Sequence, residues 1–262
     1  ELMLAPGDKL IRDIMHPGVV SVSTDTDQEQ VARIFEEYDF IALPVVDKEG
    51  RLVGIITHDD ILDVVREEDT EDIHKMGGLA APEEEYFRVG LLGNVKKRVG
   101  WLAILILLES FSSNILKVYS ASLEAVVALA FFIPMLIDTG GNTGTQSATL
   151  VIRGMATGEI ELRQGLKVLL RECVTGVILG LLLGAFAYVR AYMTQRDPRV
   201  GIIVGLSLFA VIVISNLAGA LLPLAAKRLR VDPAVMAGPF ITTIVDVVGL
   251  IVYFEVARLV IG

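Results

Sequence analysis

Hydrophobic positions follow two different patterns along this chain. Up to about residue 66 they come in short runs: strands are predicted at Val19–Val22, Ala42–Asp47 and Leu52–Ile56, and a helix with one apolar stripe at Gln28–Tyr38. From about residue 99 onward they form long runs broken by few charges. The sequence therefore predicts a small α/β module followed by a helical membrane part.

The membrane part is divided into five apolar segments. They lie at about 99–118, 122–153, 165–192, 200–226 and 234–261. About 20 apolar residues, rising about 1.5 Å each, match a hydrocarbon core of about 30 Å. We therefore expect a multi-pass α-helical membrane protein with five transmembrane helices and an N-terminal α/β module. The expected domains are 1–66, the module; 67–98, an acidic connecting helix; and 99–262, the transmembrane domain.

Composition supports this division. The 262 residues are 53% hydrophobic, with a mean hydropathy of +0.61. Residues 1–90 carry 22 acidic and 8 basic side chains, whereas residues 91–262 carry 10 and 15, so an acidic soluble part precedes a basic membrane part. The single cysteine, Cys173, excludes an internal disulfide. Because the chain starts without Met and no signal peptide is visible, we expect it to be part of a longer protein.

Basic residues predict the orientation in the membrane. Ten flank the segments on the side of the α/β module: Lys96, Lys97, Arg98, Arg153, Arg163, Lys167, Arg171, Lys227, Arg228 and Arg230. Five lie on the other side: Lys117, Arg190, Arg196, Arg199 and Arg258. The positive-inside rule then places the module in the cytoplasm and the C-terminus on the outer side of the cell membrane. In a cell with two membranes, this is the inner membrane.

The α/β module resembles a known repeat. Its order LPVVD, turn, GIITHDDIL is similar to a cystathionine-β-synthase (CBS) repeat over about residues 10–66. Such repeats normally pair, so the resemblance implies that this is the second of two. Thr57 and Asp60 match the pattern by which many CBS repeats hold a nucleotide ribose, and ATP is a secondary hypothesis for this position.

Acidic residues follow the module at helical spacing. They are Asp59, Asp60, Asp63, Glu67, Glu68, Glu71 and Asp72, several of which share one side of a continuous helix. A solvated helix face would explain them. Alternatively, divalent cations would screen their repulsion and hold the helix against another acidic surface.

The last apolar segment carries Asp246 near its middle. A carboxylate there costs about 2.5–3.5 kcal/mol on insertion scales, so it should face a partner, a bundle interior or water. Thr242 and Thr243 precede it, and Gly238-Pro239 weakens the helix before them. This combination is typical of an ion path. The alternative is an aspartate that is hydrogen-bonded to a neighbouring helix for packing.

The second apolar segment ends in a polar, glycine-rich run, Pro134 to Glu159. Its members combine small residues with uncharged oxygens: Gly140, Gly141, Asn142, Thr143, Gly144, Thr145, Gln146 and Ser147. Close helix packing would explain the glycines. Amide and hydroxyl oxygens beside Asp138 indicate contact with a hydrated ion.

Two stretches of the membrane part resemble the membrane domain of the MgtE family of magnesium channels and transporters. They are GGNTGTQSATLVIRGMATGE and AGPFITTIVDVVGL. The resemblance covers essentially the whole chain. It implies a homodimer with a pore lined by the second and fifth helices, hydrated Mg²⁺ held by Asp246, and pore contacts at Asn142 and Thr145. Gly238, where some relatives carry Asn, would join Thr242 and Thr243 in the lining.

The same resemblance implies that cytoplasmic Mg²⁺ closes the pore by binding acids of the module and plug helix. The matching residues are Glu29, Asp39, Asp60, Asp63, Glu68, Glu71 and Asp72. The resemblance thus implies Mg²⁺ both as cargo and as regulator, with ATP as a second ligand of the CBS repeat.

The residues themselves favour Mg²⁺ over softer metals. Mg²⁺ is usually held by one or two carboxylates plus waters, and His16, His58 and His74 all lie outside the membrane part. Transport of hydrated Co²⁺, Ni²⁺ or Mn²⁺ is the alternative.

Two other function classes are alternatives to ion transport. A membrane enzyme needs a nucleophile or metal triad, and neither HExxH nor GxSxG occurs, so no enzymatic activity is expected. A nucleotide-sensing CBS receptor without transport is the other alternative. The expected partners are a second copy of the chain and membrane lipid, with no nucleic acid.

Overall fold

The computed structural model describes residues 5–15, 18–79, 87–119 and 127–261. The chain divides into two compact units, Glu1–Asp69 and Thr70–Gly262. The helix His58–Met76, here α2, contains the boundary between them.

The first unit is a three-stranded sheet with one 3₁₀ turn, one complete α-helix and the start of a second α-helix. Its regular elements are a 3₁₀ turn Ile11–Asp13, β1 Val22–Ser23, α1 Gln28–Tyr38, β2 Ala42–Val46, β3 Leu52–Thr57 and the first part of α2. The strand order is β1-β2-β3, with β1 parallel to β2 and β2 antiparallel to β3. The core contains Val22, Val31, Phe35, Leu43 and Ile61.

Helix α1 begins and ends where the sequence predicted. The Asp27 carboxylate caps its start by accepting the backbone N–H of Glu29 at 3.0 Å. Asp39, in a left-handed conformation at φ 52°, ends it.

The first strand was predicted too early. It was expected at Val19–Val22, but only Val22 enters the core, while Val19 and Val20 are exposed. Pairing with β2 therefore starts at Val22, opposite Val45.

The second unit is helical. Besides the end of α2 it contains α3 Leu91–Val118, α4 Ile133–Ala156, α5 Gly165–Gln195, α6 Pro198–Arg228 and α7 Pro239–Ile261. Short 3₁₀ helices, Val127–Phe132, Leu162–Gln164 and Pro233–Met236, precede α4, α5 and α7. Within the described ranges, three helical stretches are long and apolar enough to cross a membrane: Leu91–Val118, Leu162–Gln195 and Pro198–Arg228.

The last predicted segment, 234–261, is not continuous. It is interrupted after Pro233–Met236, and α7 begins at Pro239. Proline has no backbone N–H and disfavours helical geometry in the residue before it, and Gly238 adopts φ +53° there.

Glycines bring the helices of this unit into close contact. On α5, a Cβ at Gly184 would stand 2.8 Å from the carbonyl oxygen of Gly205 on α6, and a Cβ at Gly205 would stand 2.8 Å from that of Gly184. These two backbones therefore touch, as small residues allow between membrane helices.

Burial differs sharply between the apolar helices. In the most apolar part of α6, 61% of residues are buried inside the chain, whereas in α3 the figure is 6%. Helix α6 is therefore the centre of the bundle. The surface of α3 is left for lipid or another protein.

Candidate functional site

Asp246 lies in the first half of α7 and is half-buried. Glu109 of α3 and Asp138 of α4 are close enough to repel its charge. Within the described residues, Asp246 forms neither a hydrogen bond nor an ion pair. A carboxylate that packs helices together would be hydrogen-bonded, so this placement favours the ion-contact interpretation.

The three acids are neighbours without forming a direct metal cage. Across the described ranges, no group of three or more His, Cys, Asp or Glu side chains could hold a metal ion. Carboxylates that do not bind a cation directly can still attract it through its coordinated waters. Mg²⁺ suits such a site, because it usually keeps several of its waters when it binds to a protein.

Two threonines precede Asp246 on α7. The hydroxyls of Thr242 and Thr243 both donate to the carbonyl oxygen of Pro239, at 3.0 and 2.9 Å. Their protons are therefore directed at the helix itself, and only their lone pairs remain as acceptors. Thr243 is buried and Thr242 half-buried.

The polar run of the second segment forms two opposite faces of α4. The outward face carries Asp138, Asn142, Gln146 and Thr149, all exposed, and we call these four residues the polar stripe. The Asn142 amide donates from Nδ2 to Asp138 Oδ2 at 3.2 Å. The stripe follows one side of the helix because its members are three or four residues apart.

The inward face of α4 is formed by the glycines. A Cβ at Gly140 would collide with Val211 and Val245, at 2.6 and 2.9 Å, and one at Gly141 would lie 3.1 Å from Thr242. The glycines therefore pack closely against neighbouring helices, as one of the two interpretations predicts, and the exposed oxygens lie on the opposite face. Contact of these oxygens with a hydrated ion stays a prediction. Thr145 lies between the faces, with a buried hydroxyl oxygen that has no partner among the described residues.

Gly238 lies beside the end of α2. A Cβ at this residue would stand 2.3 Å from the carbonyl oxygen of Met76. Any larger side chain would collide with this carbonyl group and would also be strained at φ +53°.

The predicted sensing acids mostly pair with neighbouring side chains. Glu29 forms an ion pair with Arg33 at 2.6 Å, and the Gln28 amide donates to Glu68 at 2.7 Å. Asp63 lies 3.7 Å from Arg66, and Glu71 pairs with Lys75. Asp39 ends α1. In the part of the chain that the structure describes, no three of these acids, Asp72 included, form a group that could hold a metal ion.

Asp60 accepts hydrogen bonds from the backbone N–H and the hydroxyl of Thr57. This is the reach-back half of a capping box and starts α2. The two residues predicted to hold a ribose are therefore adjacent but already bonded to each other.

Two polar links were missed from the sequence. Lys75 of α2 pairs with Asp232, which lies before α7. Inside the bundle, Ser147 Oγ donates to the carbonyl oxygen of Asn216, whose amide lies 3.4 Å from Glu172 Oε2. Asn216, an amide within an apolar segment, was a signal that could have revealed the second link.

Comparison with known proteins decides the family. Residues 133–256 match the MgtE family, described as "Divalent cation transporter", and residues 11–67 match the CBS domain. Over 259 residues the chain is 48% identical to "Magnesium transporter MgtE" of Thermus thermophilus, covering 99% of this chain and 57% of that protein. The chain belongs to the MgtE family.

A second MgtE relative, "Magnesium transporter MgtE" of Bacillus subtilis, is 36% identical over 98% of this chain and 56% of that protein. The chain therefore spans little more than half the length of either relative. A solved structure, "Crystal structure of the soluble part of a magnesium transporter", matches at 46% identity over 26% of each chain, with a TM-score of 0.25.

The predicted family and the CBS module are thus confirmed. MgtE membership and the three apolar helices indicate a membrane protein. The matched relatives are named as transporters, which are not enzymes.

Proposed function

We propose that this chain forms the conducting part of a Mg²⁺ transporter, with Asp246 as the residue that holds the hydrated ion. The observation that carries the proposal is an unpaired, half-buried carboxylate on α7 with two further acids nearby. An ionisable group inside a membrane helix is costly without a partner, and a passing cation would supply one.

The donors around Asp246 suit a hydrated divalent cation. One carboxylate per subunit, threonine lone pairs and the amide of Asn142 offer oxygen to the waters of the ion. Mg²⁺ dehydrates reluctantly and is commonly bound through one or two carboxylates. Hydrated Co²⁺, Ni²⁺ and Mn²⁺ fit the same donors, so competition by these ions measures selectivity.

Five transmembrane helices and a homodimer complete the proposal. Helices α4 and α7 contain 24 and 23 residues, so each is about 35 Å long and could cross a bilayer. The polar stripe of α4 faces away from its own chain, and a second copy facing it across a twofold axis would enclose a polar pore.

The remaining parts of the proposal concern regulation and orientation. Cytoplasmic Mg²⁺ would bind acids of the module and of α2 and close the pore, with the module inside the cell and the C-terminus outside. Acids at i+3 and i+4 on α2 support this, because divalent cations would relieve their repulsion. ATP binding at Thr57 and Asp60 is tested by comparing nucleotide binding by the wild type and by Asp60→Asn.

Flux in reconstituted vesicles tests the central claim. Vesicles loaded with a Mg²⁺ indicator are compared for wild type, Asp246→Asn, Asp246→Ala and the control Glu159→Gln, an exposed acid in the turn after α4. Both Asp246 variants should lose at least about tenfold in flux, the equivalent of about 1.4 kcal/mol. The control should conduct normally.

Light scattering verifies that the variants assemble as the wild type does. Wild-type flux in a correctly assembled Asp246→Ala protein would reject Asp246 as the site. Wild-type vesicles impermeable to every divalent cation would instead favour the receptor alternative.

A further inference from the structure

The C-terminal end of α2 is attached to the segment before α7 by one lysine. Lys75 Nζ lies 2.6 Å from Asp232 Oδ2 and also pairs with Glu71 one turn earlier on α2. Lys75 and Asp232 are 157 residues apart in sequence. Their side chains are 28% and 34% exposed, so the contact is partly shielded from water.

Asp232 is held in place for this contact. Its other oxygen, Oδ1, accepts the backbone N–H of Ala234 at 2.9 Å and caps the 3₁₀ helix Pro233–Met236. The carboxylate is therefore fixed at one oxygen and free to bind at the other, which lowers the entropy lost when Lys75 binds.

Lys75 stays charged in this position. Burial alone would lower the pKa of its ammonium group, but hydrogen bonds to Asp232 and Glu71 outweigh burial and raise the pKa above its usual value. Two carboxylates from separate elements would repel each other without this cation.

Backbone contacts beside the lysine show that the attachment is a packed surface. The carbonyl oxygen of Met76 lies against Gly238, immediately before α7. Gly78, at φ +69°, lies under the indole of Trp101, where a Cβ would stand 2.1 Å from Nε1. An exposed ion pair alone would contribute little free energy to docking. The Lys75–Asp232 pair can contribute more because it lies within a packed contact.

We propose that Lys75 acts as a tethered cation that docks the end of α2 beside the start of the Asp246 helix and so favours the closed pore without a bound divalent ion. This rests on the proposed transport function. Lys75 forms an ion pair with Glu71, one of the acids that regulatory Mg²⁺ would bind. The lysine therefore competes with Mg²⁺ for this carboxylate. The lysine thereby sets the internal Mg²⁺ concentration at which the pore closes.

The test measures Mg²⁺ flux into vesicles as a function of internal Mg²⁺ for wild type, Lys75→Met and the control Lys97→Met, an exposed lysine on α3. Methionine keeps the length and removes the charge. Lys75→Met should raise flux at low internal Mg²⁺ by about tenfold, the equivalent of about 1.4 kcal/mol of lost docking energy. It should still close at high internal Mg²⁺, and the control should match the wild type.

A charge-swapped double variant, Lys75→Asp with Asp232→Lys, should restore part of the low flux, because it rebuilds an ion pair between the two elements. Hydrogen exchange across residues 71–79 should be faster in Lys75→Met than in the wild type. Unchanged flux and exchange in Lys75→Met would overturn the proposal.

Measuring Asp246→Asn in parallel distinguishes failure of the Lys75 proposal from failure of the proposed transport site. If Asp246→Asn abolishes flux while Lys75→Met behaves as the wild type, only the tethered cation is wrong. If Asp246→Asn conducts normally, the proposed transport site itself is wrong.

Discussion

Gly219 of α6 packs directly on the backbone of Gly144 in α4. A Cβ at Gly219 would stand 2.4 Å from the carbonyl oxygen of Gly144 and 2.8 Å from the Cβ of Ser147. Because both obstacles belong to rigid parts of α4, neither can rotate out of the way. The position of the polar stripe relative to α6 therefore depends on the absence of one methyl group.

We expect Gly219→Ala to destabilise the membrane domain by about 1–3 kcal/mol, the usual cost of overpacking a closely packed interior. The measurement is thermal unfolding of purified protein in detergent. Gly100→Ala is the control: Gly100 lies within α3 with no atom near its Cβ position, so alanine there should stabilise the helix by about 0.5–1 kcal/mol. Equal melting temperatures for the two variants would contradict this account of the α4–α6 contact.

Asn142 should matter for conduction through its amide. Asn142→Leu removes its hydrogen bond to Asp138 and places an apolar side chain in the middle of the polar stripe. We expect Mg²⁺ flux to fall about tenfold, a change of about 1.4 kcal/mol, at unchanged melting temperature, since the residue is exposed in the single chain.

Asn142→Gln keeps the amide and provides the matched comparison, with flux expected near the wild-type rate. If the leucine variant assembles and conducts as well as the glutamine variant, the polar stripe does not line the ion path.

The stability of the first unit should respond to acid through Asp47. Its carboxylate accepts the backbone N–H groups of Arg51 at 2.8 Å and Glu49 at 3.0 Å in the turn between β2 and β3. The backbone hydrogen bond from Arg51 is the main reason that its pKa lies below the usual 3.8. A lowered pKa means that this contribution is fully present above the usual pKa and is lost as pH falls through the lowered value.

Asp47→Asn should therefore reduce stability at neutral pH and have a smaller effect in strong acid. The midpoint of unfolding of the first unit, followed by circular dichroism as the pH is lowered, measures this. A constant difference between variant and wild type over the whole pH range would show that the hydrogen bonds from Arg51 and Glu49 do not depend on the charge of Asp47.

Local signals predicted most of the secondary structure. The apolar stripe and the Asp27 cap predicted α1 to its correct ends, and the long apolar segments predicted the positions of α5 and α6 to within about three residues. The position of β1 was missed because strand pairing depends on which valine reaches the core. The residues before Val22 are also β-branched or small, so the sequence does not distinguish the possible registers.

The candidate site was predicted as a set of residue types and not as an arrangement. An acid within an apolar helix makes Asp246 a candidate ion contact from sequence alone. The division of the α4 run into a packing face and the polar stripe depends on where α6 and α7 lie. The Lys75–Asp232 contact joins residues 157 positions apart, and no local pattern encodes such a pair.

If the proposed homodimer forms, the polar stripe also affects the stability of a single subunit before it pairs. Alone in a bilayer, a single chain would press an acid, two amides and a hydroxyl against acyl chains, where unsatisfied polar groups are costly. Pairing two such faces relieves the penalty for both copies at once. In the proposed homodimer, a solitary subunit would therefore be less stable than the pair, and surplus copies would be open to proteolysis.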